Sequence, residues 1–200
     1  MSELQFESAL AGVVVPQGLC VTVRDIADRG MIDLRGLASD RKFMAAAKGV
    51  LGVDLPKTPR TAQSWGDIKV LWLSIDQWLI LGSRDRVQAL LADLRHALTG
   101  LHSLAVDVSD MRAVIRVEGE AARETLMKGC SLDLLGGAYE AGTVRRVRYA
   151  EIAALLHVVE DQVFDIYVFR SYAHYAWEFL CTTAREAARV KLYGKQVAPV

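Results

Sequence analysis

Residues 104–134 read "LAVDVSDMRAVIRVEGEAARETLMKGCSLDL". Segment 104–108 alternates apolar and polar residues. Ser109 and Asp110 supply turn chemistry, and 112–118 sets Arg112, Val114 and Arg116 against Ala113, Ile115 and Val117. The pattern predicts two strands joined as a hairpin. Acids then open the stretch "EAARETLMKG", Lys128 falls in its closing turn, and Gly129 follows. That order predicts a short helix over 120–128 with Gly129 as a left-handed stop.

The same order occurs roughly 80 to 88 residues away in the other half of the chain. "VTVRDIADRGMIDLRG" reads as strand, turn and strand, and Phe43, Ala46, Ala47 and Val50 then recur at helical spacing. "MIDLRG" (31–36) stands where "VIRVEG" (114–119) stands, and "VDL" (53–55) where "LDL" (132–134) stands. Strands are predicted at 61–66, 69–75 and 78–83, with a helix at 84–98 carrying Val87, Leu90, Leu91, Leu94 and Leu98. Their counterparts are strands at 143–149, 150–158 and 164–171, with a last helix whose stripe is Tyr172, Ala176, Phe179, Leu180 and Thr183. The fold class is therefore α+β, a duplicated strand-strand-helix-strand-strand-helix unit. We expect a tail over 1–17, a first repeat over 18–100, a second over 101–190, and a tail over 191–200, with the boundary at "TGLHS" (99–103).

The chain has 200 residues, 52% of them hydrophobic, and 24 basic residues balance 24 acidic ones. A chain of that composition folds to a globule, and zero net charge gives no counterion-release handle for nucleic acid and no pull toward an anionic membrane. The apolar run at Ala9–Val15 lacks a basic n-region and a cleavage site, and no stretch approaches the ~20 apolar residues of a spanning helix. A cytoplasmic protein is expected. Cys20, Cys130 and Cys181 lie far apart with no CxxC spacing, which suits buried thiols in a reducing compartment.

Chemical motifs are sparse: the sequence holds no GxGxxG, P-loop, HExxH, GxSxG or Cys/His ligand spacing. Cys130 in "KGCSLDL" follows a helix C-terminus, where the dipole disfavours a thiolate, and the first half carries Gly52 ahead of its "VDL". Asp133 and Asp54 occupy matched places, which favours backbone capping over a catalytic carboxylate, with chemistry at one copy left open. The glycine-rich "LGGAYEAG" (135–142) lacks the strand-to-helix context of a phosphate cradle. His96, His102 and His174 read as surface residues. His157, near Asp161 and Asp165, is the one histidine positioned for a polar cluster. Trp72 and Trp78 flank the turn "SIDQ" as a cross-strand pair, with Trp65 upstream. On the last helix Tyr175 and Trp177 widen the aromatic face, either against the chain's own core or as a candidate partner interface.

"DVSDMRAVIRVEGEAARETLMKGCSLDL" (107–134), "GTVRRVRYAEIAALLHVVEDQVFDIYVFRSYAHYAWEFL" (142–180) and "LWLSIDQWLILGS" (71–83) together resemble the gamma subunit of heterotetrameric sarcosine oxidase. One departure is the turn before Trp78, Ser74-Ile75-Asp76-Gln77 in place of Gly-Pro-Asp-Glu. The resemblance implies the fold of the folate-binding domain of the glycine-cleavage T-protein. It implies a non-catalytic small subunit of an enzyme that oxidatively demethylates sarcosine to glycine, forms hydrogen peroxide and passes the one-carbon unit to tetrahydrofolate. FAD, FMN, NAD and tetrahydrofolate are then held by other subunits, and no cofactor, metal or catalytic residue is assigned to this chain. The implied partners are the alpha, beta and delta subunits, chiefly the large folate-domain subunit. Two alternatives stand beside it: a free-standing folate-binding protein or one-carbon transferase, with Asp133 or Asp110 on the pterin, and the equivalent subunit of a related N-methyl amino-acid oxidoreductase.

Overall fold

The structure is a computed structural model that describes residues 6–135 and 139–190. The middle of the glycine-rich connection and the tail at 191–200 lie outside the described residues. The chain divides into two compact units, one drawn from Ile26–Arg112 and Gly142–Arg146, the other from Met1–Asp25, Ala113–Ala141 and Val147–Val200 so far as these are described.

In the first of these units the strands are β2 (Gly30–Gly36), β3 (Ala62–Trp65), β4 (Ile68–Ser74), β5 (Gln77–Gly82) and β6 (Ser103–Asp107). They form an antiparallel sheet in the order β3-β4-β5-β2-β6. Helices α1 (Arg41–Leu51) and α2 (Val87–Ala97) bury Phe43, Ala47, Leu91 and Leu94 in one apolar cluster with Ile32, Leu34 and Trp78. Each such large side chain contributes roughly 1.5–3 kcal/mol by leaving water. Asp40 starts α1, its carboxylate accepting from the backbone N–H of Lys42 at 2.8 Å, and Gly52 stops it at φ 71° with its N–H on the Lys48 carbonyl. Trp72 and Trp78 are direct cross-strand partners, and the buried Trp78 donates its indole N–H to the Pro56 carbonyl at 2.8 Å.

In the second unit β1 (Thr22–Asp25), β7 (Arg112–Glu118), β8 (Val144–Tyr149), β9 (Ile152–Glu160) and β10 (Val163–Phe169) form a sheet in the order β1-β7-β10-β9-β8. Alternate residues Val23, Ile115, Val117, Leu156, Phe164 and Ile166 share one cluster with α3 (Ala122–Met127) and α4 (Ala173–Thr183).

The expected hairpin does not form. β6 pairs with β2, Ile32 facing Asp107 and Gly36 facing Ser103, whereas β7 pairs with β1, Thr22 facing Glu118. Ser109 makes the switch: its backbone N–H donates to Asp107 Oδ1 at 2.8 Å, and its hydroxyl accepts the Met31 N–H at 2.9 Å. This turn ends β6 in place instead of folding the chain back beside it. β1 and β2 part company in the same way, each joining a different sheet. Repeat, a property of sequence, and compact unit, a property of space, thus divide the chain differently.

Three elements differ in detail from expectation. The helix at 120–128 is shorter, because Gly119 at φ 125° ties its N–H to the Gln162 carbonyl and keeps 118–120 out of the helix. Gly129 is not left-handed. It is glycine because a Cβ there would lie 2.3 Å from the ring of Tyr149. On α4 the buried face is Ala173, Ala176, Trp177, Leu180 and Cys181, rotated from the predicted stripe so that the large indole enters the core.

Candidate functional site

A cluster of buried and half-buried ionisable groups lies on β7, β10 and β9. Strand alternation sends Arg116, Asp165 and His157 to the face opposite the helices. Asp165 is 1% exposed and His157 3%, and the two are directly opposed in the β10/β9 ladder. Arg116 grips Asp165 with both prongs, Nε to Oδ1 at 2.7 Å and Nη2 to Oδ2 at 3.0 Å. That hydrogen bond raises the Arg116 guanidinium above its ordinary value against the opposing effect of burial. Both carboxylate oxygens are engaged, so Asp165 joins β7 to β10 as an ionic clamp and does not offer a base. His157 therefore meets Asp165, as expected. Asp161 is elsewhere: it is solvent-exposed and bonds Arg123 at 2.9 Å.

A second polar network belongs to the other unit. Gln77 on β5 donates to both oxygens of Asp33 on β2 at 2.9 and 3.0 Å, and accepts from Arg146 at 3.2 Å. Burial and the nearby Arg146 charge push Arg112 down from its ordinary value, while Asp33 opposes them.

The other expected residues fall as follows. Burial pushes the Cys130 thiol up, which makes it a poor nucleophile. Asp133 makes the Asx turn, accepting the Leu135 N–H at 3.1 Å, but Asp54 instead pairs with Lys48 at 2.8 Å. Asp110 is held by Arg84 at 2.9 Å. Both carboxylates assigned to a pterin in the alternative reading thus have partners within the chain. Tyr175 and Trp177 separate: Tyr175 is 40% exposed and Trp177 only 5%. Tyr172, just before α4, is followed at i+3 and i+7 by Tyr175 and Phe179 within it, with the Tyr175 and Phe179 rings stacked at 6.4 Å. Among the described residues no group of three His, Cys, Asp or Glu side chains is placed to hold a metal, and no helix is long and apolar enough to cross a membrane.

Two features were missed in the sequence. The clamp left a signal, since an acid inside "FDIYVF" and an arginine in alternation on β7 are charges in strands otherwise built for burial. Glu124 left less. This mostly buried α3 carboxylate accepts the Val190 N–H at 2.7 Å and lies 3.3 Å from Lys128, which in turn donates to the Thr183 carbonyl at the end of α4.

Two antiparallel five-stranded sheets, each with a pair of helices in its core, and ion pairs that join neighbouring strands define a duplicated α+β protein. The chain belongs to the sarcosine oxidase gamma subunit family, whose sequence model matches residues 35–186. It is similar to sarcosine oxidase subunit gamma of Corynebacterium sp. strain U-96, 28% identical over 182 residues that cover 90% of this chain and 86% of that one. The subunit from an Arthrobacter species is also 28% identical, covering 81% of this chain and 75% of its own. Among solved structures, a chain of heterotetrameric sarcosine oxidase from Corynebacterium sp. U-96 matches with a TM-score of 0.84 at 25% identity, covering 94% of this chain and 98% of that one. The glycine cleavage system aminomethyltransferase T from Bartonella henselae shares the fold, with a TM-score of 0.63 at 14% identity over 90% of this chain and 52% of its own.

Proposed function

We propose that this chain is the gamma subunit of a heterotetrameric sarcosine oxidase and acts there as a docking subunit. The observation that carries the reading is the match in fold to a chain of that enzyme along 98% of its length, together with the family assignment. The partners are the alpha, beta and delta subunits, chiefly the large subunit with the folate-type domain. Those subunits hold FAD, FMN, NAD and tetrahydrofolate and oxidise sarcosine to glycine, with the one-carbon unit leaving on folate and hydrogen peroxide as the other product. The chain works in the cytoplasm. Its halves, 18–100 and 101–190, are two copies of one α+β unit.

The exposed side of α4, centred on Tyr175, is the docking face, because stacked aromatics at a surface bring large area at low entropy cost. Trp177 supports it from the core. The test is to purify the tagged chain gently from its own cell, then record visible absorbance and co-eluting masses. Flavin absorbance with larger chains is expected, and Tyr175→Asp weakens that association about tenfold or more while the isolated chain melts as before. Trp177→Ala lowers the melting temperature instead. A colourless solitary chain sinks the subunit reading, and an unaffected Tyr175→Asp complex sinks this face.

A further inference from the structure

The four outer strand edges of the two sheets are finished differently. Beyond β3, the Ala62 N–H bonds the Gly142 carbonyl and the Val144 N–H bonds the Arg60 carbonyl, both at 2.8 Å. β8 carries Arg145, Arg146 and Arg148, charges of the kind that keep an edge from pairing. β1 is only four residues long, and the chain just before it is bridged from Leu19 to Arg185. Among the described residues β6 has only the Arg95 side chain as a finish: it reads "SLAVD", holds a strand partner on one side only, and leaves Leu104 49% exposed.

The phase of the ladder fixes what that edge offers. The Val108 N–H donates to the Met31 carbonyl at 2.8 Å, so residues 104, 106 and 108 address β2, and Ser103, Ala105 and Asp107 turn their backbone groups outward. Arg95, in the last turn of α2, lies across this edge with its Nε on the Ala105 carbonyl at 3.1 Å. Among the described residues no carboxylate pairs with this guanidinium, and Nη1 and Nη2 remain for another acceptor. Beside it runs an open groove of about 310 Å³ lined by Leu98, Leu101, Ser103, Leu104 and Val106.

We propose that an extended segment of a partner chain adds to the free edge of β6, placing a carboxylate on Arg95 and an apolar side chain against Leu98, Leu101 and Leu104. This rests on the subunit reading above and names a second contact for it. The pairing is strand addition, in which main-chain bonds supply affinity and the flanking side chains supply choice. The occupant is a partner and not a second copy of this strand. The acid of β6 itself, Asp107, already accepts from the Ser109 N–H at 2.8 Å and from Gln88, so a second copy brings no carboxylate for Arg95.

The experiment compares amide hydrogen exchange at Ser103 and Ala105 in the full chain alone and in the complex assembled with its co-expressed partner chains, for the native sequence and for Arg95→Gln. Assembly is expected to slow exchange at both amides about tenfold or more, and Arg95→Gln to weaken assembly by a similar factor without changing the melting of the isolated chain. A complex that forms with these amides exchanging as fast as in the free chain overturns the proposal and leaves the subunit reading intact. Protection that appears in the isolated chain as its concentration rises, with a doubled mass, overturns it in favour of self-pairing. Failure to recover any partner chain overturns both, and is told apart by the absence of a complex to compare.

Discussion

Replacing Asp165 by alanine strips the Arg116 guanidinium of both its hydrogen bonds inside the sheet, 2.7 and 3.0 Å long in the native chain. The Arg116 side chain is 19% exposed and Asp165 is 1% exposed, so water replaces little of what is lost. Removing one partner of a buried pair costs about 3–5 kcal/mol, because the remaining charge stays uncompensated. The residual exposure of Arg116 places this case near the lower end. For a chain of this size each kcal/mol moves the melting temperature by about 2–4 °C, so Asp165→Ala should melt roughly 6–12 °C early. The double change Arg116→Met with Asp165→Leu should recover most of that loss, since an apolar pair of similar volume carries no desolvation penalty. Urea unfolding followed by far-ultraviolet circular dichroism measures both, with an unchanged m-value showing that the shift is one of stability. A loss below about 1 kcal/mol for Asp165→Ala would put the pair in the class of surface ion pairs and refute the clamp.

Two further outcomes follow from named contacts. Gly129→Ala drives a methyl into the Tyr149 ring and should cost about 1–3 kcal/mol as overpacking, relieved by pairing it with Tyr149→Leu; no relief in the double variant would return Gly129 to a purely backbone role. As its control, Gly49→Ala meets open space on the exposed side of α1 and should stabilise by about 0.5–1 kcal/mol. For Glu124, burial is the largest single influence and acts upward, yet the Val190 N–H, Lys128 and Arg189 together hold the carboxyl below its ordinary value of 4.5. A carboxyl lowered on folding stabilises above its unfolded value and loses that contribution as pH falls through the folded one. The melting difference between the native chain and Glu124→Gln should accordingly be full at pH values above about 5 and shrink below about 4; a difference that grows on acidification would contradict it.

What the sequence by itself determined is local. The alternation of β7, the apolar runs of β9 and β10, the helical spacing of Phe43, Ala46, Ala47 and Val50 in α1, the apolar stripe of α2, and the repeated order of elements are readable without the fold. Tertiary structure decided every choice of partner. A turn such as Val108-Ser109-Asp110 looks the same whether it closes a hairpin or hands the chain to another sheet, because the difference lies in β2 claiming β6 and β1 claiming β7. Gly129 is glycine on account of a ring twenty positions later, and the orientation of α4 was decided by how much apolar area Trp177 loses to the core. The Arg116–Asp165 clamp spans 49 positions. Each residue announces only that a charge sits in a strand built for burial. The energy of such contacts depends on a distance that local sequence does not contain.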